Sequence, residues 1–222
     1  ITYDAEGALI STEEQLSKFA SGQAGIKARL TKPLSVTTPI SFVANELSLS
    51  GTAENVVTVS SVDGFEINGN NILFDSISFE ASGSGSVYFV SVSGTGVTVE
   101  NCKFTGDVNS SSNNRVMYGV RTDGENTKII GNTFINLRIP FYIDESNATD
   151  ISSVDVIGNT INGCRKVDLE TAEFVNSISD NTFTDALLEY DIEILEGGTA
   201  ENAKTLSEAN GKCTVKYDGG TY

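Results

Sequence analysis

The residues of this chain best placed to do chemistry are carboxylates that recur at strand spacing. Four segments, Val116–Arg121, Pro140–Ile143, Val167–Glu170 and Tyr190–Ile194, read as equivalent strands. Taking Val120, Ile143, Leu169 and Ile192 as their inward residues lays out two outward columns, since successive side chains on a strand face opposite ways. One column reads Arg121, Asp144, Glu170, Glu193 and its neighbour reads Gly119, Tyr142, Asp168, Asp191. Carboxyls on adjacent strands would stand about 5 Å apart, and on alternate strands about 10 Å. Those distances bracket what retaining and inverting glycoside hydrolases use. Crowded like charges raise the pKa of one member, which makes Asp168, Glu170 and Asp191 acid–base candidates, and the same crowding invites Ca²⁺. Exposed aromatic rings stack on sugars, so Tyr118 and Tyr142, with Arg121, Asp144 and Glu193, form the candidate ligand-binding set. An exposed β-face is also polar for solvation alone, and a one-residue slip would turn the columns inward.

Composition removes several alternatives. The 222 residues carry 14 Lys and Arg against 30 Asp and Glu, a net charge of −16, and no histidine. Nucleic-acid backbones and anionic membrane surfaces are repelled, and so is a polyanionic glycan unless a cation bridges the charges. Without histidine there is no Ser-His-Asp or Cys-His constellation and no ordinary zinc site. Cys102, Cys164 and Cys213 have no metal-binding spacing, and their odd number leaves room for one disulfide and a free thiol. No run of 18 apolar residues occurs, so no membrane insertion is expected. The start at Ile1, without a signal-like segment, reads as a mature or trimmed chain.

These carboxylates must be held by a repeating scaffold. The phrases Val97–Phe104, Lys128–Phe134, Val154–Ile161 and Ser177–Phe183 share one pattern, ending in Cys-Lys-Phe, Asn-Thr-Phe, Asn-Thr-Ile and Asn-Thr-Phe, with an earlier copy at Ile72–Phe79. The copies recur every 22 to 30 residues, too short a period for propeller blades and too poor in leucine for leucine-rich repeats. Each coil therefore holds at least two strands and a bend. Stacked coils place Asn132, Asn159 and Asn181 at one position, about 4.8 Å apart, as an asparagine ladder. Phe79, Phe104, Phe134, Ile161 and Phe183 form an apolar stack inside. One domain spans 1–222: an N-terminal cap at 1–25, coils at 26–194 and a C-terminal cap at 195–222. A short helix is predicted over about Thr12–Ser21, with Ser11 and Glu14 as a capping box, and a second over Thr199–Asn210.

On the phrases Val99-Glu-Asn-Cys-Lys-Phe104 and Ile130-Gly-Asn-Thr-Phe134, and on the helical cap ahead of them, the chain resembles the right-handed parallel β-helix proteins of the pectin-lyase-like superfamily. The resemblance implies an all-β, single-stranded right-handed parallel β-helix. It carries over no catalytic residue: the Asn-Thr pairs precede Phe or Ile instead of Asp, and there is neither an Asp-Asp pair nor a Gly-His-Gly. A fold of this kind hosts many functions. The expectation is a non-catalytic extracellular or cell-surface module that binds glycan or another surface polymer, with no cofactor. A polysaccharide-active hydrolase or lyase using the acidic face is the alternative. The Ser/Asn-rich loop Asn109–Asn114 would stand beside that face as a lip.

Overall fold

The computed structural model describes residues 1–60, 63–82, 87–106, 117–144 and 153–222; the Asn109–Asn114 loop lies outside them. The chain winds as a parallel β-solenoid of about seven turns. Each coil gives one strand to each of three sheets, as Thr98–Glu100, Lys103–Thr105 and Met117–Thr122 do in one coil. Among the described residues the three sheets, first to third in their order within a coil, contain nine, seven and nine strands.

The repeated phrase is a strand, a sharp turn and the start of the next strand. Its turn begins with a left-handed residue: Asn101, Gly131, Gly158 and Asp180 have φ of 53°, 63°, 68° and 58°. Only Gly, Asn and Asp adopt that conformation readily, which is why those types recur there. The next residue then points inward, as Cys102, Asn132, Asn159 and Asn181 do, all of them buried. Each asparagine Oδ1 accepts the main-chain N–H of the residue one coil earlier, at 2.8 Å for Cys102 to Asn132 and Asn132 to Asn159, and 2.9 Å for Asn159 to Asn181. Each Nδ2 donates to a main-chain oxygen of the preceding coil, Val99, Ile129 or Val156. The column gains a fourth amide that the phrase did not reveal: Asn210, at the end of the C-terminal helix, accepts from Asn181 N–H at 3.1 Å.

Two residues further on, the aromatic column is in register, with Phe79 paired to Phe104, Phe104 to Phe134, Phe134 to Ile161 and Ile161 to Phe183. The rings of Phe79, Phe104 and Phe134 stack with centroids 5.0 Å apart at each step. That spacing is the rise of one coil.

Both expected end helices form, and only the cap of the first differs from expectation. Helix α1, Glu13–Ala20, is capped by Thr12, whose side chain accepts from Gln15 N–H. Ser11 instead bonds Gln15 Oε1 through its N–H and hydroxyl, so the predicted Ser11–Glu14 box is displaced by one residue. Glu13 clamps the helix to the first coil by accepting the N–H groups of Thr37 and Thr38 at 2.7 and 3.0 Å. Ahead of α1, a hairpin of Thr2–Asp4 and Gly7–Ile10 already extends the first sheet. Helix α2, Ala200–Ala209, is capped by Thr199 and Asn202, and Val215–Tyr217 with Gly220–Thr221 finishes the third sheet. All three cysteines are buried. Burial pushes the Cys102 and Cys213 thiols up to about 12, so they behave as small apolar side chains.

The amide column generates a stability prediction. Asn159→Ala orphans the Asn132 N–H and the Ile129 carbonyl in a buried turn, which costs about 2–4 kcal/mol. Asn162→Ala, on an outward position of the second sheet, costs less than about 0.5 kcal/mol. Urea unfolding of the two variants checks the difference.

Candidate functional site

The third sheet has the longest strands, Val87–Val92 and Met117–Thr122, and it carries all the candidate residues. Its pairing differs from the sequence alignment. Val120 pairs with Phe141, and Ile143 with Thr122 and Leu169; Leu169 in turn pairs with Ile194. The alignment was therefore off by two residues at two of its three steps. A two-residue slide keeps every side chain on its face, so the candidates remain outward, but it changes their neighbours. The observed row is Glu66, Ser91, Arg121, Tyr142, Asp168, Glu193 and Lys216. Gly119 does not belong outward: a Cβ there would lie 2.7 Å from the buried Phe134 ring.

The structure thus merges members of the two predicted columns into one row in which Asp168 and Glu193 are adjacent and cations stand at Arg121 and Lys216. Arg121 bonds Asp144, its Nε standing 3.1 Å from Oδ2, and lies 3.6 Å from Asp123. Lys166 lies 2.8 Å from Asp168 and also binds Glu193, whose other oxygen meets Lys216 at 2.6 Å. The Tyr142 hydroxyl donates to Glu170, and Tyr190 donates to Glu193 at 3.3 Å. Asp191 accepts Thr214 N–H at 2.8 Å and so serves the C-terminal cap. Sequence reasoning missed Lys166, Lys216, Tyr190 and Asp123. Lys166 was legible in principle, two residues before Asp168 and therefore on its face.

Titration follows pairing, with burial opposing it. Burial pushes Glu193 up, but hydrogen bonds and charge from Lys166 and Lys216 outweigh it and hold the carboxyl below the ordinary range. Asp168 is only 7% exposed, and here burial wins over Lys166, so its pKa is raised. Burial also acts to lower Lys166 and Arg121, yet their carboxylate partners raise both. Tyr142 is raised by burial and by its bond to Glu170. The charge of neighbouring Glu193 adds to the rise of Asp168, so crowding of these two acids persists beside their pairing with cations. Among the described residues, no group of three His, Cys, Asp or Glu side chains is arranged to hold a metal ion.

Tyr118 stands apart from Tyr142. It stacks on Tyr88 with centroids 4.6 Å apart, and the Arg138 guanidinium lies 6.0 Å from its ring. Tyr88 pairs with Tyr118 from the preceding strand of the sheet, and Arg138 directly precedes the following one.

No protein-family model matches the sequence, and no curated protein does. A solved structure similar to the chain is the complex of alginate lyase AlyF-OU02 with G6, at 13% identity and a TM-score of 0.39. The match covers 84% of this chain and 55% of that one, so the chain spans about half the length of that lyase.

Two predictions test the pairing. Lys166→Met leaves Asp168, with its side chain 9% exposed, beside no ammonium, and breaking a buried pair from one side costs about 3–5 kcal/mol; urea unfolding at neutral pH reads it. Glu193, depressed in the folded state, stabilises the fold above its unfolded pKa of about 4.3. That contribution is lost as pH falls through the lower folded value, because the unfolded chain then binds the proton first. Glu193→Gln should therefore flatten the acid limb of a stability-against-pH curve below about pH 4.5.

Proposed function

We propose that the protein is a non-catalytic extracellular or cell-surface module that binds glycan or another surface polymer along its third sheet. The observation that carries this reading is the engagement of the acids: Asp144, Asp168, Glu170 and Glu193 each hold an Arg, Lys or Tyr of the same chain. A general acid or base needs a proton it can exchange with substrate, whereas these groups are engaged in ion pairs or hydrogen bonds within the chain. Fixed partners suit recognition, since side chains already ordered by their neighbours lose little entropy when a ligand arrives. The row Arg121, Tyr142, Asp168, Glu193, Lys216 advances one residue per coil, about 4.8 Å, and offers hydroxyl, carboxylate and ammonium groups to a polymer laid along the axis. The absence of any transferable catalytic motif, the Ser/Thr/Asn-rich sequence and the acidic balance fit an exposed binding body.

A polysaccharide-active enzyme is the second reading, favoured by Asp168, whose burial raises its pKa toward that of a general acid. A glycan array combined with a polysaccharide turnover screen separates the two. The binding reading expects saturable binding without turnover, weakened about tenfold (roughly 1.4 kcal/mol) by Arg121→Ala or Tyr142→Ala. Turnover that disappears in Asp168→Asn, Glu170→Gln or Asp191→Asn would overturn it.

A further inference from the structure

The two ends of the solenoid are not closed alike. At the N-terminal end, α1 packs over the first strands of the second and third sheets, and the hairpin of Thr2–Asp4 and Gly7–Ile10 extends the first. At the C-terminal end, α2 packs against the end of the first sheet, and two further strands extend the third. Among the described residues the second sheet stops at Thr182–Thr184, with no strand beyond it.

The chain comes close to adding that strand and then turns away. Asn210 occupies the turn position of an eighth coil, bonded to Asn181 N–H as each earlier asparagine is bonded to its predecessor. Gly211 and Lys212 would begin the next strand of the second sheet, but both are left-handed, with φ of 68° and 67°. For lysine that conformation is strained. Lys212 N–H instead closes the helix end on Ser207 O at 2.7 Å, and the chain cuts across to the third sheet. A cleft of about 190 Å³ is left, lined by Thr182 and Phe183 on one side and by Gly211, Lys212 and Cys213 on the other.

The cleft has the hydrogen-bonding pattern of an open strand edge. Thr182 N–H donates back to Asn159 O, and Thr184 O accepts from Gly163 N–H. In a parallel ladder alternate residues bond to alternate sides, so the N–H and C=O of Phe183 point into the cleft. Phe183 is also the one member of its column left partly buried, while Phe79, Phe104 and Phe134 are fully covered. Left-handed, exposed Asp180 and Asp185 bracket the strand, and Asp191 lines the cleft. Together they outweigh Lys212. A second copy of a chain with net charge −16 would bring the same acids against these.

We infer that the edge at Thr182–Thr184 is a docking site for an extended, basic peptide segment of another protein, which pairs as the missing strand and sets one apolar side chain over Phe183. Main-chain bonds to Phe183 give the register, the cleft takes the apolar side chain, and the aspartates favour flanking lysine or arginine.

The probe is a synthetic peptide, Lys-Val-Thr-Phe-Thr-Val-Lys, titrated into the full chain with residue-resolved amide exchange as the readout. Saturable binding is expected, with the Phe183 amide slowed at least about tenfold. Replacing both peptide lysines by glutamate should weaken binding by a similar factor, and N-methylation of its three central amides should abolish it. On the protein, Thr182→Lys with Thr184→Lys changes outward positions only and should weaken the basic peptide without altering the unfolding midpoint. The inference is overturned by a lack of saturable binding, by equal binding of the N-methylated peptide, or by concentration-dependent dimerisation that protects the same amide without peptide.

Discussion

Everything in this molecule depends on one coil lying in register on the next. Phe79, Phe104 and Phe134 can stack at 5.0 Å only if the coils neither slide nor rotate against each other. The buried amides of Asn132, Asn159, Asn181 and Asn210 enforce that condition, since each accepts the main-chain N–H of the coil before it. An apolar column alone would tolerate small slides. The amides do not, because a slide would leave buried donors and acceptors unpaired at about 1–3 kcal/mol each.

The same register decides what the outer face can do. On the third sheet it sets Asp168 beside Tyr142 on one side and Glu193 on the other, and brings Lys216 against Glu193 from the C-terminal cap. The face is acidic by count, yet locally it is a chain of ion pairs. Burial, helped by the charge of neighbouring Glu193, raises Asp168 against the pull of Lys166, while two lysines depress Glu193. Pairing of this kind orders the polar side chains of the face before any ligand arrives.

The fold was legible because its strongest constraint recurs in the sequence. A left-handed Gly, Asn, Asp or (at Ser76) Ser, an inward residue, a Thr, Ser or Lys and an apolar residue mark the repeated turn, and that order gave both the coil and its core column. The face of the third sheet was legible for a similar reason, since alternation tells inward from outward. Its slide was not. Alternation repeats every two residues, so Val120 aligned with Ile143 satisfies the pattern as well as Thr122 does. Loops of unequal length between the second and third sheets carry no compensating signal. Gly119 was placed outward because its lack of a side chain hides the bend that puts it against Phe134. Asn210 escaped notice because it ends a helix and is followed by Gly-Lys-Cys in place of the repeated phrase.

On the third sheet Asp144 is paired with Arg121, Asp168 with Lys166, and Glu193 with Lys166 and Lys216. Carbon-13 NMR titration of the Asp and Glu carboxyl groups tests this pairing most directly. Pairing predicts that Glu193 gives up its proton below the ordinary carboxylate range while buried Asp168 gives up its own above it. Glu193 titrating above that range, as a member of a crowded acidic pair would, contradicts it.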